Sequence, residues 1–330
     1  MKIQDLSRIG FDTFQRYKKI ADILSVIHTY EKNESLSILD VGGYPCEFEK
    51  FTKNKIFIVD LPYCKKENYI KGSGMDLPIK TNFFDIVISS DTFEHIVVDK
   101  RIQFLKELIR VSKKYIILGA PFKSEINELV EDELCNLHNK IYQKPHPWLN
   151  EHKVNSLPNL SILMDFLDEN NYLYQIFPNG NSFIWYLFQW AYYLFQSLSG
   201  LAEYTYKINS LYNNYLYHYD NIEPSYRKII LISKDNQSSD IINIANEIRV
   251  ITSVELNPSD TQPFIIMTNI LSDVINQINL LRKTGDASES FQTLIQYIDR
   301  LESVLENNTK RLESKPKKHV GLLKKLFGQK

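Results

Sequence analysis

The sequence has few cysteines and no excess of charge of either sign. Its 330 residues include three cysteines, Cys46, Cys64 and Cys135, an odd number without CxxC spacing, so neither a disulfide framework nor a zinc knuckle is expected. Lysine and arginine total 39 against 40 acidic residues, which argues against a nucleic-acid partner. The N-terminus also lacks the apolar run of a signal peptide, so we expect a cytoplasmic protein with reduced thiols.

Short apolar runs alternate with helical patterns over the first two thirds of the chain. Apolar residues at helical spacing predict an amphipathic helix over 11–30 and another over 160–170. The runs that predict strands, most of them ended by acidic or glycine residues, are 37–41, 56–60, 86–90, 115–119, 172–177 and 227–233. This order predicts an α/β fold with a doubly wound, Rossmann-like sheet of about seven strands.

A glycine turn follows the first predicted strand. Gly42 and Gly43 come directly after Asp40 and Val41, and glycine lets the backbone approach a ligand closely. Asp60 ends the next strand, where a carboxylate can accept hydrogen bonds from ribose hydroxyls. These features indicate a ligand that contains a nucleoside, and by themselves they also suit a dinucleotide.

Further motifs narrow the choice of ligand. They read GMDLPI at 74–79, FFDIVISS at 83–90, DTFEH at 91–95 and RVSKK at 110–114. In order and spacing these motifs resemble class I S-adenosylmethionine-dependent methyltransferases of the type 11 kind over 36–122, and more loosely over 1–234. A dinucleotide-dependent oxidoreductase is the weaker alternative, because Asp76-Leu77-Pro78 and Glu94-His95 are not signatures of that class.

The resemblance implies S-adenosylmethionine as the cofactor and assigns residues to its parts. Asp40, Gly42 and Gly43 would border the methionine part, Asp60 and Leu61 the ribose, and Asp76 and Leu77 the adenine, while Asp91 and the Glu94-His95 pair would close the site. The chain departs from the family pattern at Tyr44 and Cys46, where further glycines are usual. A noncatalytic scaffold that keeps the fold is therefore the alternative to an enzyme.

Histidines supply the candidate catalytic groups. A hydroxyl acceptor benefits from a base that removes its proton. The candidates are His95 and, in a loop expected after the fifth strand, His146 and His152, of which we favour His152. Spacings of eight and six residues within 138–152 match no compact ligand motif, so no metal is expected.

An aromatic insert is expected near 181–222. No charged residue occurs between Glu169 and Glu203, and the run over 183–195 predicts a helix that is apolar all round. One membrane crossing there would leave the flanking strands on opposite sides of the bilayer. We therefore expect a substrate lid, a dimer face or an interfacial membrane contact, with burial under the C-terminal helices as the simpler alternative.

The C-terminal third has a different pattern. After a linker or helix over 236–263, apolar residues step by three and four in two runs over 264–313, which predicts a helical hairpin or a coiled coil that could form a homo-oligomer. The tail over 314–330 is basic and amphipathic. We expect peripheral contact with the inner face of a membrane through 183–195 and 317–330 as one use of these segments.

Taken with the resemblance, the sequence predicts a methyltransferase domain over 1–235 and a helical C-terminal module. The predicted reaction is O-methylation of a small molecule or a glycan. A lipid-linked glycan is among the candidates because of the aromatic insert and the basic tail.

Overall fold

A computed structural model describes residues 6–32, 35–198, 201–235 and 240–252, together with positions 266, 269, 270, 273 and 274. The chain divides into two compact units, 1–276 and 277–330, and every described residue lies in the first. The two runs predicted over 264–313 otherwise lie outside the described residues, as does the basic tail over 314–330.

Strands and helices alternate along most of the described chain. The strands are β1 (Ile38–Val41), β2 (Ile56–Asp60), β3 (Tyr69–Lys71), β4 (Phe84–Ser90), β5 (Ser112–Pro121), β6 (Leu173–Asn181) and β7 (Ser225–Ser233). The α-helices are α1 (Phe11–Tyr30), α2 (Arg101–Val111), α3 (Glu125–Tyr142), α4 (Pro147–Asn155), α5 (Leu160–Glu169), α6 (Ser182–Ser197), α7 (Ala202–Leu211) and α8 (Asp240–Thr252).

The strands form one seven-stranded sheet in the order β3-β2-β1-β4-β5-β7-β6, which confirms the predicted Rossmann-like α/β fold. Strands β1 to β5 pair in parallel, and β7 runs antiparallel to both of its neighbours, β5 and β6. The carboxyl ends of β1 to β6 and the amino end of β7 therefore meet at one edge of the sheet. We call this edge the carboxyl edge, and ligands of open α/β sheets bind outside it.

Apolar side chains cover both faces of the sheet. On one face, Leu39 and Val41 of β1 belong to a buried cluster that also contains Leu105 and Leu108 of α2. Helix α1 has a buried stripe at Ile20, Ile23, Leu24 and Ile27, and it lies beside α8. Each of these buried side chains contributes about 1.5 to 3 kcal/mol relative to exposure, so both helical layers stabilise the sheet.

The prediction of a loop over 138–152 is wrong, because most of this segment is helical. Ser124 accepts a hydrogen bond from the amide of Asn127 (3.1 Å) and caps α3, which continues through Tyr142. A second helix, α4, starts after a His146 cap with Pro147 in its first turn. Both helices follow β5 and lie at the carboxyl edge, which is where we expected the segment.

The aromatic insert forms α6, but its surface is not uniform. Trp185, Phe188 and Leu194 are buried, whereas Leu187 is 60% exposed. The helix contacts α3 and α7. In the residues that the structure describes, no helix is both long enough and apolar enough to cross a membrane.

Candidate cofactor and acceptor site

In the glycine turn after β1, the backbone of Gly42 and Gly43 packs closely against the side chains of Thr92 and Asp40. Gly42 has φ of +81°, and a Cβ on it would lie 2.1 Å from Oγ1 of Thr92. A Cβ on Gly43 would lie 2.3 Å from Oδ2 of Asp40. Both positions therefore require glycine, since a side chain would displace Thr92 or Asp40.

Asp40 is the most deeply buried acid of this turn, with 1% of its surface exposed. It lies in β1 between Ile58 of β2 and Ile88 of β4. Its Oδ2 atom has no hydrogen-bond partner among the described residues. Burial raises the pKa of the Asp40 carboxyl to about 7, so a neutral carboxyl is the main form in mildly acidic solution.

Asp60 is fixed by backbone amides at the end of β2. Its Oδ2 accepts a hydrogen bond from the amide of Tyr44 (3.0 Å), and its Oδ1 accepts one from the amide of Leu61 (2.7 Å). The first of these bonds joins the end of β2 to the glycine turn. Each carboxylate oxygen keeps acceptor capacity for a further donor, because an ionised carboxylate offers about four lone-pair sites.

Asp76 and Leu77 follow β3 along the chain. Asp76 is exposed, whereas Leu77 is buried in the core. The amide of Leu77 donates to Oε2 of Glu107 (2.8 Å), and its carbonyl accepts from Nη2 of Arg110 (3.0 Å). Helix α2 therefore holds the backbone of this segment at the carboxyl edge.

Asp91 occupies the end of β4 with its oxygens already engaged. Nε of Arg227 donates to both of them (2.8 and 2.9 Å), and Nη1 of Arg16 donates to one (2.9 Å). Arg227 also donates to Asp12 (2.6 Å) and to Gln15 (2.7 Å) of α1. Burial alone would raise the pKa of Asp91, but the two arginines outweigh it and hold that pKa well below its usual range.

Three side chains converge beside Asp91. Glu94 and His95 lie in a short 3₁₀ helix after β4, and His152 lies in α4. The rings of His95 and His152 have centroids 4.9 Å apart. One ligand atom from each of the three residues lies within 4.8 Å of the others, and we call them the Glu94–His95–His152 cluster.

Two further carboxylates orient the histidine rings. Nδ1 of His95 lies 3.0 Å from Oε2 of Glu151, and Nδ1 of His152 lies 2.9 Å from Oε1 of Glu131. Glu131 in turn accepts a hydrogen bond from the hydroxyl of Tyr226 (2.6 Å). These contacts leave Nε2 of each ring as the atom available to the cluster.

Burial shifts the pKa values of two members of the cluster. Burial raises the pKa of Glu94 well above its usual range, and the charge of Asp91 raises it further. Burial also lowers the pKa of His95, and the neighbouring His152 ring adds to that effect. Each of these two shifts favours the neutral form of the group.

His146 lies apart from the cluster. It caps α4, where its Nδ1 accepts a hydrogen bond from the amide of Leu149 (3.2 Å), and its ring contacts His138 and Tyr193. Burial lowers its pKa to about 4. The structure thus brings together two of the three histidine candidates, His95 and His152. The third, His146, caps α4.

Four residues of this region had not been predicted: Arg16, Glu131, Tyr226 and Arg227. Arg227 carried the clearest sequence signal, because it is a charged residue at the start of an otherwise apolar predicted strand. Glu131 gave none, since its position on α3 became meaningful only when that helix was placed against α4.

Comparison with known protein families gives one match. Residues 50–117 match the family model described as a methyltransferase domain, a span that runs from before β2 into β5. No curated protein matches the chain.

Two of the solved structures to which the chain is similar are described as methyltransferases. One is an S-adenosylmethionine-dependent methyltransferase from Thermotoga maritima, a possible histamine N-methyltransferase, with 16% identity, a TM-score of 0.39 and coverage of 67% of this chain and 92% of that chain. Another is magnesium protoporphyrin IX methyltransferase from Synechocystis PCC 6803 with bound SAH, with 10% identity, a TM-score of 0.38 and coverage of 66% and 83%.

Residues 50–117 thus match a methyltransferase domain, and they lie within the seven-stranded α/β sheet described above. A methyltransferase domain implies S-adenosylmethionine as the cofactor, and open α/β sheets in general bind their ligands outside the carboxyl edge.

Proposed function

We propose that the carboxyl edge binds S-adenosylmethionine in the arrangement expected from the sequence. Asp40, Gly42 and Gly43 would border the methionine part of the cofactor, and Asp76 and Leu77 the adenine. Asp60 would accept hydrogen bonds from the ribose, with Leu61 beside it. The orientation of the Asp60 carboxylate by two backbone amides is the observation that supports this assignment best.

Asp91 takes a positioning role in this proposal. Because both of its oxygens are engaged by Arg16 and Arg227, it fixes the turn that leads from β4 to Glu94 rather than contacting the cofactor through a free carboxylate. This is a change from the role that the resemblance implied.

We further propose that the acceptor is a small molecule with a hydroxyl group, presented to the Glu94–His95–His152 cluster. The acceptor oxygen would attack the methyl group while the carbon–sulfur bond breaks, so the sulfonium becomes a neutral thioether and the hydroxyl proton must leave. The polar cluster beside Asp91 is where we expect that proton to be removed.

The aromatic insert is proposed to form one wall of the acceptor site. The ring of Trp185 in α6 stacks on Tyr226 with centroids 3.5 Å apart, and the Tyr226 hydroxyl contacts Glu131, which holds His152. Leu187 and Phe183 of the same helix are exposed. Such a surface suits an acceptor with a large apolar part, including a lipid-linked glycan.

Calorimetric titration with S-adenosylmethionine tests the cofactor site. Asp60→Ala should weaken binding by about 1 to 3 kcal/mol, the range for a hydrogen bond to a charged group. Asp99→Ala, which changes an exposed acid in the short 3₁₀ helix before α2, should bind as the wild type does. Unchanged affinity in a folded Asp60→Ala protein would refute the ribose assignment.

A further inference from the structure

The Glu94–His95–His152 cluster contains two buried polar atoms that lack a partner. Glu94 is 1% exposed and His152 is 5% exposed. Oε2 of Glu94 and Nε2 of His152 make no hydrogen bond within the part of the chain that the structure describes. A buried polar atom without a partner costs about 1 to 3 kcal/mol, so two of them side by side point to a ligand that satisfies both.

The surrounding contacts are those of a metal site. A histidine that binds a metal through one ring nitrogen usually gives its other N–H to a carboxylate or a carbonyl. His95 and His152 both have Nδ1 against a carboxylate, Glu151 and Glu131 respectively. Their Nε2 atoms are therefore set as lone-pair donors beside the Glu94 carboxylate.

The distances allow a metal ion after a small closure. Ligand atoms bound at about 2.0 to 2.2 Å in a tetrahedral site lie about 3.4 Å apart. Since the three ligand atoms already lie within 4.8 Å of one another, each pair needs to approach by no more than about 1.5 Å. Side-chain rotation of His95, which is only partly buried, can supply much of this.

We propose that Glu94, His95 and His152 bind one divalent transition-metal ion, with zinc as the first candidate. Two imidazole nitrogens and one carboxylate oxygen suit zinc, whereas magnesium prefers oxygen ligands alone. Three protein ligands leave a coordination position open, as in catalytic rather than structural zinc sites. Asp91 is not among the ligands, because Arg16 and Arg227 occupy its oxygens.

The use of this ion rests on the methyl transfer proposed above. An acceptor hydroxyl that occupied the open position would have a lowered pKa and would lose its proton to water. The oxygen would then attack the methyl carbon with the electron pair released from its O–H bond. The carbon–sulfur bond would break, and its two electrons would remain on sulfur. The metal-binding claim itself does not depend on that step.

The test is metal binding to the full-length protein after treatment with EDTA. Calorimetry with Zn²⁺ and elemental analysis after dialysis should give one ion per chain, and Co²⁺ should give the visible absorption bands of a site with nitrogen ligands. Glu94→Gln and His152→Ala should each weaken Zn²⁺ binding more than about 100-fold, and Glu151→Gln about 10- to 100-fold. His218→Ala, which removes an exposed histidine elsewhere, should bind as the wild type does.

Two results would overturn the metal site. One is the absence of saturable binding at one ion per chain. The other is unchanged binding in the Glu94→Gln and His152→Ala proteins, with their fold verified by circular dichroism. Titration with S-adenosylmethionine on the same samples separates the proposals, because a protein that binds the cofactor without Zn²⁺ keeps the proposed function and loses only the metal.

Discussion

Replacing Asp40 with asparagine should change how the stability of the protein depends on pH. Asp40 is buried beside the glycine turn, and burial raises its pKa from the usual 3.8 to about 7. The folded state therefore keeps a proton on Asp40 at pH values where the unfolded chain has lost it. As the pH rises from 3.8 through 7, this group destabilises the folded state progressively.

The magnitude follows from the two pKa values. The difference between 3.8 and about 7 corresponds to about 4 kcal/mol over the full range, with a slope of about 1.4 kcal/mol per pH unit. Between pH 5 and pH 8 the wild type should lose about 2 to 3 kcal/mol from this group. Asparagine cannot ionise, so the Asp40→Asn protein should lack that loss.

Urea denaturation of both proteins at half-unit steps from pH 5 to pH 8 measures the effect. The free energy of unfolding of Asp40→Asn, minus that of the wild type, should rise by about 2 to 3 kcal/mol across this range, whatever its value at pH 5. Asp85→Asn is the matched control, because hydrogen bonds from Ser37 lower the Asp85 pKa and its titration ends below pH 5. A difference that is flat with pH for Asp40→Asn would refute the reasoning.

Three further predictions concern Arg227, Gly42 and the C-terminal unit. Arg227→Met should lower the free energy of unfolding by about 3 to 5 kcal/mol, measured by urea denaturation, because it leaves Asp91 and Asp12 without their buried partner. Gly42→Ala should lower it by about 1 to 3 kcal/mol, since the new Cβ meets Thr92 and the residue must keep a positive φ. Truncation after Asn276 should leave S-adenosylmethionine affinity unchanged by calorimetry, and weaker binding would show that the C-terminal unit contributes to the site.

The patterns of apolar residues predicted six of the seven strands of the sheet. The α1 helix was predicted with its observed bounds, because its apolar residues keep helical spacing over 20 residues. Strand β3 was not predicted, since its three residues are partly exposed and too few to form a pattern. Antiparallel β7 could not be told from a parallel strand, because burial on both faces removes the alternation that would mark its orientation.

Within the candidate site, residues that stand close together in the sequence were easier to propose than contacts between residues far apart in the sequence. The Glu94-His95 pair and Asp60 follow strands and were visible as motifs. The partnership of His152 with Glu131 joins residues 21 positions apart on different helices, and that of Arg227 with Asp12 spans 215 positions. No local pattern encodes such pairs, because they depend on how α3, α4 and β7 meet at the carboxyl edge.

The contact between Arg227 and the first helix has a consequence for synthesis on the ribosome. Asp12 emerges early, but its partner follows 215 residues later, which takes about 10 to 40 s at ordinary rates of elongation. Until β7 inserts between β5 and β6, Asp91 lacks its principal counter-charge. A nascent chain that ends before Arg227 therefore lacks the ion pairs that Arg227 forms with Asp12 and Asp91, and Asp91 keeps only its contact with Arg16.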